Sequence, residues 1–144
     1  MVSIEPMKPH ELRELAKLYR ELARKRTDAR RMKQNFEWMT SNPDYLVLGA
    51  KSDGRLLGSL MGVVCHDLVG ECRSFMVVEN VIVARSHRRQ GVGRKLMRAL
   101  ERIARQRHCY YIMFVSKSQR KDAHRFYESL GYRLGVAQGF KKYL

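Results

Sequence analysis

The sequence predicts an α/β protein: one mixed, mostly antiparallel sheet with helices on both of its faces. Three observations carry this. Apolar residues first recur at helical spacing, then in continuous strand-like runs. The four residues Ser52-Asp53-Gly54-Arg55 sit between two such runs and read as a hairpin turn. Beyond residue 75 a strand, a helix and a second strand follow in order, which is the pattern of a parallel crossover.

Residues 2–6 read as a short strand. Leu12, Leu15, Ala16, Tyr19, Leu22 and Ala23 mark an amphipathic helix over roughly 9–26. Met32, Phe36 and Met39 mark a second over about 29–40, ended by Asn42-Pro43-Asp44 because proline disfavours helix in the residue before it. Tyr45–Ala50, Leu56–Cys65 and Phe75–Val83 are strands. Gly91 to about Arg107 is a helix with Val92, Leu96, Leu100 and Ile103 on one face. Tyr110–Val115 reads as a buried strand, and 120–130 as a helix closed by Gly131 in the left-handed conformation. A last strand is expected over about 138–143.

The chain has 144 residues, enough for one domain with one core, so a single domain over 1–144 is expected. No run approaches the roughly 20 apolar residues that span a bilayer, and Met1-Val2-Ser3-Ile4-Glu5-Pro6 lacks the features of a signal peptide. The expectation is a soluble cytoplasmic protein without a membrane partner. Cys65, Cys72 and Cys109 are odd in number and lack a CxxC spacing, which argues against a disulfide framework or a zinc site. The formal charge of +15 suits nucleic acid, an anionic membrane or a polyanionic small molecule. One small ligand does not need so much charge.

The stretch from Glu79 to Leu96 carries the chemistry. A strand ends near Val83, and a basic turn with Gly91 and Gly93 opens a helix. Unpaired N–H groups and the positive end of a helix dipole favour an anion there. Without a Cβ, glycine lets phosphate oxygens approach the backbone. Arg88, Arg89 and Arg94 add charge. A plain tight strand-to-helix turn explains the glycines equally well. A P-loop does not, because GxxxxGK[ST] is missing; nor does a Rossmann fingerprint, because position 96 is Leu.

Arg88-x-x-Gly91-x-Gly93, after a Glu-x-x-x-Val strand and before a helix, resembles the acetyl-CoA signature [Q/R]-x-x-G-x-[G/A] of the GNAT superfamily of acetyltransferases. The resemblance implies the GNAT fold and acetyl-CoA as co-substrate. It implies that the backbone of Val81, Ile82 and Val83 pairs with the pantetheine arm. It also implies that the backbone of Arg88, Arg89, Gln90, Gly91, Val92, Gly93 and Arg94 surrounds the pyrophosphate. Arg85 and His87 replace the proline and aromatic residue common before the signature, without removing a backbone donor.

Ala123-His124-Arg125-Phe126-Tyr127-Glu128-Ser129-Leu130-Gly131-Tyr132 looks like the same family's A-x-x-[F/L]-Y-E-x-x-G-[F/Y] helix. There the tyrosine, here Tyr127, protonates or hydrogen-bonds the departing thiolate. Such help is worth roughly 10²–10⁴ in rate. Read alone, Tyr127 is better explained as a core aromatic beside Phe126; the glycine turn upstream is what favours the catalytic reading. Where many members carry Asn seven residues earlier, this chain has Arg120.

An acceptor amine is mostly protonated at neutral pH, so a base is needed. Glu79 is the leading candidate. It lies in an apolar strand, where an unpaired carboxylate is costly, and alternation puts it on the face of Val81 and Val83. A structural Glu bonded to backbone or to Arg is the competing reading. His66 and His124 are weaker candidates, and His87 falls on the solvated turn. The basic run from Arg24 to Lys33 reads as a solvated face. In the GNAT fold this region borders the acceptor site, so an acidic substrate or partner stays open. A homodimer contact through Gly139-Phe140-Lys141-Lys142-Tyr143 also stays open.

The reading is therefore an N-acetyltransferase that transfers acetyl directly to a primary amine on a small molecule or peptide. It forms no covalent enzyme intermediate, uses no metal and binds no specific nucleic-acid sequence. The competing readings are a basic nucleic-acid-binding module, which lacks any zinc-finger, RNP or clear helix-turn-helix pattern, and a non-catalytic acyl-CoA sensor on the same fold.

Overall fold

The hairpin turn sets the register of the sheet. Asp53 and Gly54 take positive φ of 50° and 71°, as a tight two-residue turn between twisted strands requires. They join β2 (Tyr45–Ser52) to β3 (Arg55–Cys65), with Ser52 opposite Arg55. β1 (Ser3–Pro6) pairs with β2, and β4 (Phe75–Val83) with β3, both antiparallel. β5 (Ile112–Met113) pairs with β4 in parallel. A parallel partner needs a crossover, and α3 (Val92–Gln106) supplies it. The sheet is thus mixed and mostly antiparallel, with its five strands in chain order, as the sequence predicts.

This computed structural model describes residues 1–144, which fall into two compact units, Met1–Met113 and Phe114–Leu144. In the first unit the two faces of β3 separate the helices. A Cβ on Gly62 would stand 2.7 Å from Leu100 Cδ1, so this face of β3 lies under α3. Leu60, Leu96, Met97 and Leu100 are fully buried, each worth about 1.5–3 kcal/mol on transfer from water. On the other face lies α1 (Leu12–Ala23), whose Tyr19 packs against the cluster of Met7, Leu15 and Phe36. Leu15 and Phe36, from α1 and α2 (Ala29–Thr40), cluster there with Met7, Val47 and Leu56.

The first helix is shorter than predicted. Residues Pro9–Glu11 form a 3-10 turn, and α1 stops at Ala23 because Arg24 turns left-handed (φ 54°) with its N–H on Arg20 O. Asp28 then caps α2, its carboxylate accepting from the Arg31 N–H at 3.0 Å. Asp44 fastens the far end of α3 to the sheet. It accepts from Arg107 Nη2 and lies 2.8 Å from His66 Nε2, while its carbonyl accepts from the Val64 N–H at 2.8 Å.

In the second unit α4 (Lys121–Ser129) ends as predicted. Gly131 takes φ 95° and donates to Glu128 O at 2.9 Å.

Two strand expectations fail. β5 has two residues where 110–115 was expected; Tyr110, Tyr111, Met113 and Val115 are exposed, so the apolar run is not a buried strand. No strand forms over 138–143. Gln138-Gly139-Phe140-Lys141-Lys142-Tyr143 has no strand-like alternation, and a strand exists through ladder bonds that no neighbour supplies here. No helix is long and apolar enough to cross a membrane.

Candidate active site

β4 is irregular at its centre. Glu79 faces Met61 and Ile82 faces Ser59, so Asn80 and Val81 together stand opposite Leu60. This is a β-bulge, which bends a strand and re-aims its side chains. Asn80 adopts φ 56°, a left-handed conformation that Asn tolerates better than other side chains. The extra residue interrupts the alternation expected from Glu79 through Val81 to Val83.

Past the bulge, β4 has one open edge. Its ladder to β5 contains Met76 and Val77 only, while its ladder to β3 continues to Val83 opposite Gly58. Ile82 O points toward β3, 2.8 Å from where a Cβ on Gly58 would stand, so glycine permits that approach. Over Val81–Val83 the strand therefore has an unpaired side that an extended ligand can follow, although Ile82 O faces β3 and Val83 O already accepts from Arg88.

The chain then enters a 3-10 turn, Arg85–His87, and reaches α3 through Arg89 (φ 61°) and Gly91 (φ 81°). Gly91 is the N-cap, and a Cβ there would meet nothing within 4 Å. Glycine is needed for its backbone angle, and the side on which a Cβ would stand is open. No side chain caps the helix, and its first turn has no acidic residue but carries Arg94 and Lys95. Cations at a helix N-terminus oppose the dipole. A bound phosphate reverses that cost and takes up the first N–H groups. The chemistry of the turn from Arg88 to Arg94, with uncapped N–H groups at the start of α3 and no acidic residue in the first helical turn, fits a pyrophosphate.

Arg88 also makes contacts within the protein. Its Nε donates to Val83 O at 3.0 Å, and its Nη2 lies 3.8 Å from Glu21 Oε2. Glu21 also accepts from the Arg85 N–H at 3.1 Å. Arg88 and Glu21 hold the turn, with the Arg88 charge partly satisfied within the protein. Glu21 escaped the sequence reading because nothing in a helical Glu announces a partner 64 residues away.

Glu79 is exposed, and no hydrogen bond or ion pair engages its carboxylate. The desolvation cost expected from its strand is not incurred, and neither is the structural pairing. Of the other candidates, His66 follows Cys65, which pairs with Phe75. Phe75 is four residues from Glu79, about 13 Å along a strand. His66 is bonded to Asp44. Nε2 of buried His124 lies 3.0 Å from Lys117 O. His87 sits in the turn beside Ser86 Oγ, as expected.

In the second unit, Tyr127 projects from α4 into an aromatic group. Its ring lies 4.5 Å from that of Phe114 and 5.2 Å from that of Phe126, centroid to centroid. Burial raises its pKa, and the nearby Arg120 charge partly offsets this. The hydroxyl thus remains protonated at working pH and has no hydrogen-bond partner. Arg120 occupies the N-cap of α4 without capping it.

Residues 10–132 match the model of the Acetyltransferase (GNAT) family. The chain belongs to the GNAT family. Solved structures share its fold over the full length. A candidate acetyltransferase from Agrobacterium tumefaciens is 24% identical with a TM-score of 0.91, covering 99% of each chain. A transcriptional regulator from Bacillus halodurans is 22% identical with a TM-score of 0.92, covering 100% of each. AAC(6')-Iy, in complex with the bisubstrate analogue CoA-S-monomethyl-acetylneamine, is 20% identical with a TM-score of 0.84, covering 100% of this chain and 99% of that one. At these identities the likeness is one of fold. The five-stranded mixed sheet with flanking helices is the GNAT fold, and membership of an acetyltransferase family points to an acyltransferase.

No cluster of three or more His, Cys, Asp or Glu side chains that could hold a metal ion is present. All three cysteines are free.

Proposed function

We propose that this protein transfers the acetyl group of acetyl-CoA directly to a primary amine. The observation that supports this most is the continuity of the open edge of β4, from Val81 to Val83, with the uncapped start of α3 at Gly91. An extended arm ending in a pyrophosphate suits such a path, and the GNAT family uses acetyl-CoA. When bound, acetyl-CoA supplies an acetyl thioester.

The residues divide the remaining work. The backbone of Val81, Ile82 and Val83 holds the extended arm. The turn from Arg88 through Arg89, Gln90, Gly91, Val92 and Gly93 to Arg94 receives the phosphates. Glu79 takes the proton of the acceptor ammonium, directly or through water, which frees the nitrogen lone pair. A C–N bond then forms as the C–S bond breaks. Tyr127 gives its hydroxyl proton or a hydrogen bond to the departing sulfur, which leaves as a thiol. Exposure of the Glu79 carboxylate supports the first role. A neutral, unpartnered hydroxyl on Tyr127 supports the second.

The acceptor is a small molecule or peptide carrying a primary amine. The AAC(6')-Iy complex, with its acetylneamine analogue, makes aminoglycosides a reasonable part of the search. The exposed cations Arg24, Lys25, Arg26, Arg30 and Lys33 favour an acceptor with acidic groups. We place the enzyme in the cytoplasm, as a monomer or a homodimer. The test is thiol release from acetyl-CoA across polyamines, aminoglycosides, amino acids and peptide N-termini. Turnover of at least one amine supports the reading. A folded protein that acetylates none of them contradicts it.

A further inference from the structure

Glu21 reaches from α1 to the turn that follows β4. Its Oε2 accepts from the Arg85 N–H at 3.1 Å and lies 3.8 Å from Arg88 Nη2. Arg85 opens the 3-10 turn, and Ala84 before it has no side chain that could cap that turn. The Ala84 N–H is spent on Leu57 O of β3, at 2.8 Å. The Arg85 N–H is thus the first donor past the sheet, and a carboxylate from another helix takes the place of a local cap.

Arg89 and Gly91 are both left-handed, so the segment that joins the 3-10 turn to α3 is not helical. Gln90 Nε2 donates back to Ser86 O at 3.2 Å, and Arg88 Nε to Val83 O at 3.0 Å. These bonds tie the segment to the 3-10 turn and the end of β4. Glu21 ties the 3-10 turn to α1.

A carboxylate here also has a cost. Like charges repel, so Glu21 opposes an anion that approaches Arg88. Its hydrogen bond and its charge therefore act in opposite directions on phosphate binding. Glutamine separates the two, because its amide oxygen accepts a hydrogen bond without carrying charge.

We propose that Glu21 is a positioning residue for the donor diphosphate: reaching from α1, it caps Arg85 and so holds the phosphate turn in its binding shape. This rests on the acetyltransfer reading above.

The test compares Glu21→Ala and Glu21→Gln with the wild type. Both substitutes are good helix formers at an exposed position, so α1 should survive, and circular dichroism checks this. Coenzyme A affinity is measured by calorimetry. On the best amine of the panel, kcat and KM are measured with acetyl-CoA and with S-acetylpantetheine, a donor that lacks the diphosphate. Glu21→Ala is expected to weaken coenzyme A binding about fivefold, as an exposed hydrogen bond contributes modestly. At saturating acetyl-CoA its kcat should stay within about twofold of wild type. Glu21→Gln should bind coenzyme A at least as tightly as the wild type. With S-acetylpantetheine both variants should match the wild type, which a general loosening of α1 would not give. Unchanged coenzyme A affinity in Glu21→Ala, an equal loss in Glu21→Gln, or an equal loss with S-acetylpantetheine would each overturn the positioning role. A wild type that neither binds coenzyme A nor acetylates any amine would overturn the acetyltransfer reading and the role together. A wild type that binds coenzyme A, beside a Glu21→Ala variant indistinguishable from it, removes the role alone.

Discussion

Arg88 donates through Nε to the carbonyl oxygen of Val83, 3.0 Å away. The arginine of the signature thereby ties the end of β4 to the turn that leads into α3. Lysine keeps the charge but lacks the planar fork, so it cannot hold Val83 and stand by Glu21 together. Arg88 is half-exposed, and the lost bond is therefore worth only about 1 kcal/mol. Arg88→Lys is expected to weaken acetyl-CoA binding roughly fivefold, with Tm little altered. An unchanged Kd by calorimetry would show that the turn holds itself.

Tyr127→Phe removes one hydroxyl from a ring that stays packed on Phe114 and Phe126. Folding and acetyl-CoA affinity should survive. The expected loss falls on kcat, by roughly 10²–10⁴ for a general acid, with KM for acetyl-CoA nearly constant. Full kcat at every pH would assign the proton to water or to another group.

Glu79→Gln separates a base from a structural residue by the shape of the pH–rate profile. A base works only when deprotonated, so the acidic limb in the wild type should report Glu79 and should move or vanish in the variant. The size of the rate loss decides nothing, because a displaced bulge would also slow the enzyme. Profiles that overlay after scaling would remove Glu79 from the chemistry.

Asp44 sets an acid limit on stability. Its bonds with His66, and then with Arg107, hold its pKa below the usual carboxylate value. A carboxyl depressed in the folded state stabilises the protein above its unfolded pKa of about 3.9, and that stabilisation is lost as pH falls through the folded value. Asp44→Asn should therefore lower Tm at neutral pH, and the gap to wild type should close below about pH 4. A gap of constant size down to the acid limit would mean that packing, and not charge, is what the variant loses.

Most of this architecture could be read from the chain because its signals are local. Asp53-Gly54 fixes a hairpin, Gly91 and Gly131 mark helix ends that require left-handed backbone, and the apolar stripe of α3 follows from spacing alone. The helix around Tyr127 was legible as a motif. What escaped was non-local or compensated. The bulge depends on how β4 meets β3, although Asn80 inside an apolar strand was a hint, since Asn is unfavourable in strands. The Glu21–Arg85 link joins residues distant in sequence whose types carry no signal. The exposed aromatic run Tyr110-Tyr111 mimicked a buried strand because hydrophobicity does not tell which side is covered.

The central claim is that the β4 edge and the Gly91 turn hold acetyl-CoA, and isothermal titration calorimetry tests it most directly. Wild type and Gly91→Glu are titrated with acetyl-CoA after circular dichroism has shown both to be folded. A glutamate side chain at residue 91 would occupy the open side of the turn and set a negative charge against the phosphates. The expected result is saturable binding by the wild type, accompanied by a rise in Tm through mass action, and loss of both in Gly91→Glu. A folded wild type that binds no acetyl-CoA, or a Gly91→Glu variant that binds it as tightly, would contradict the account.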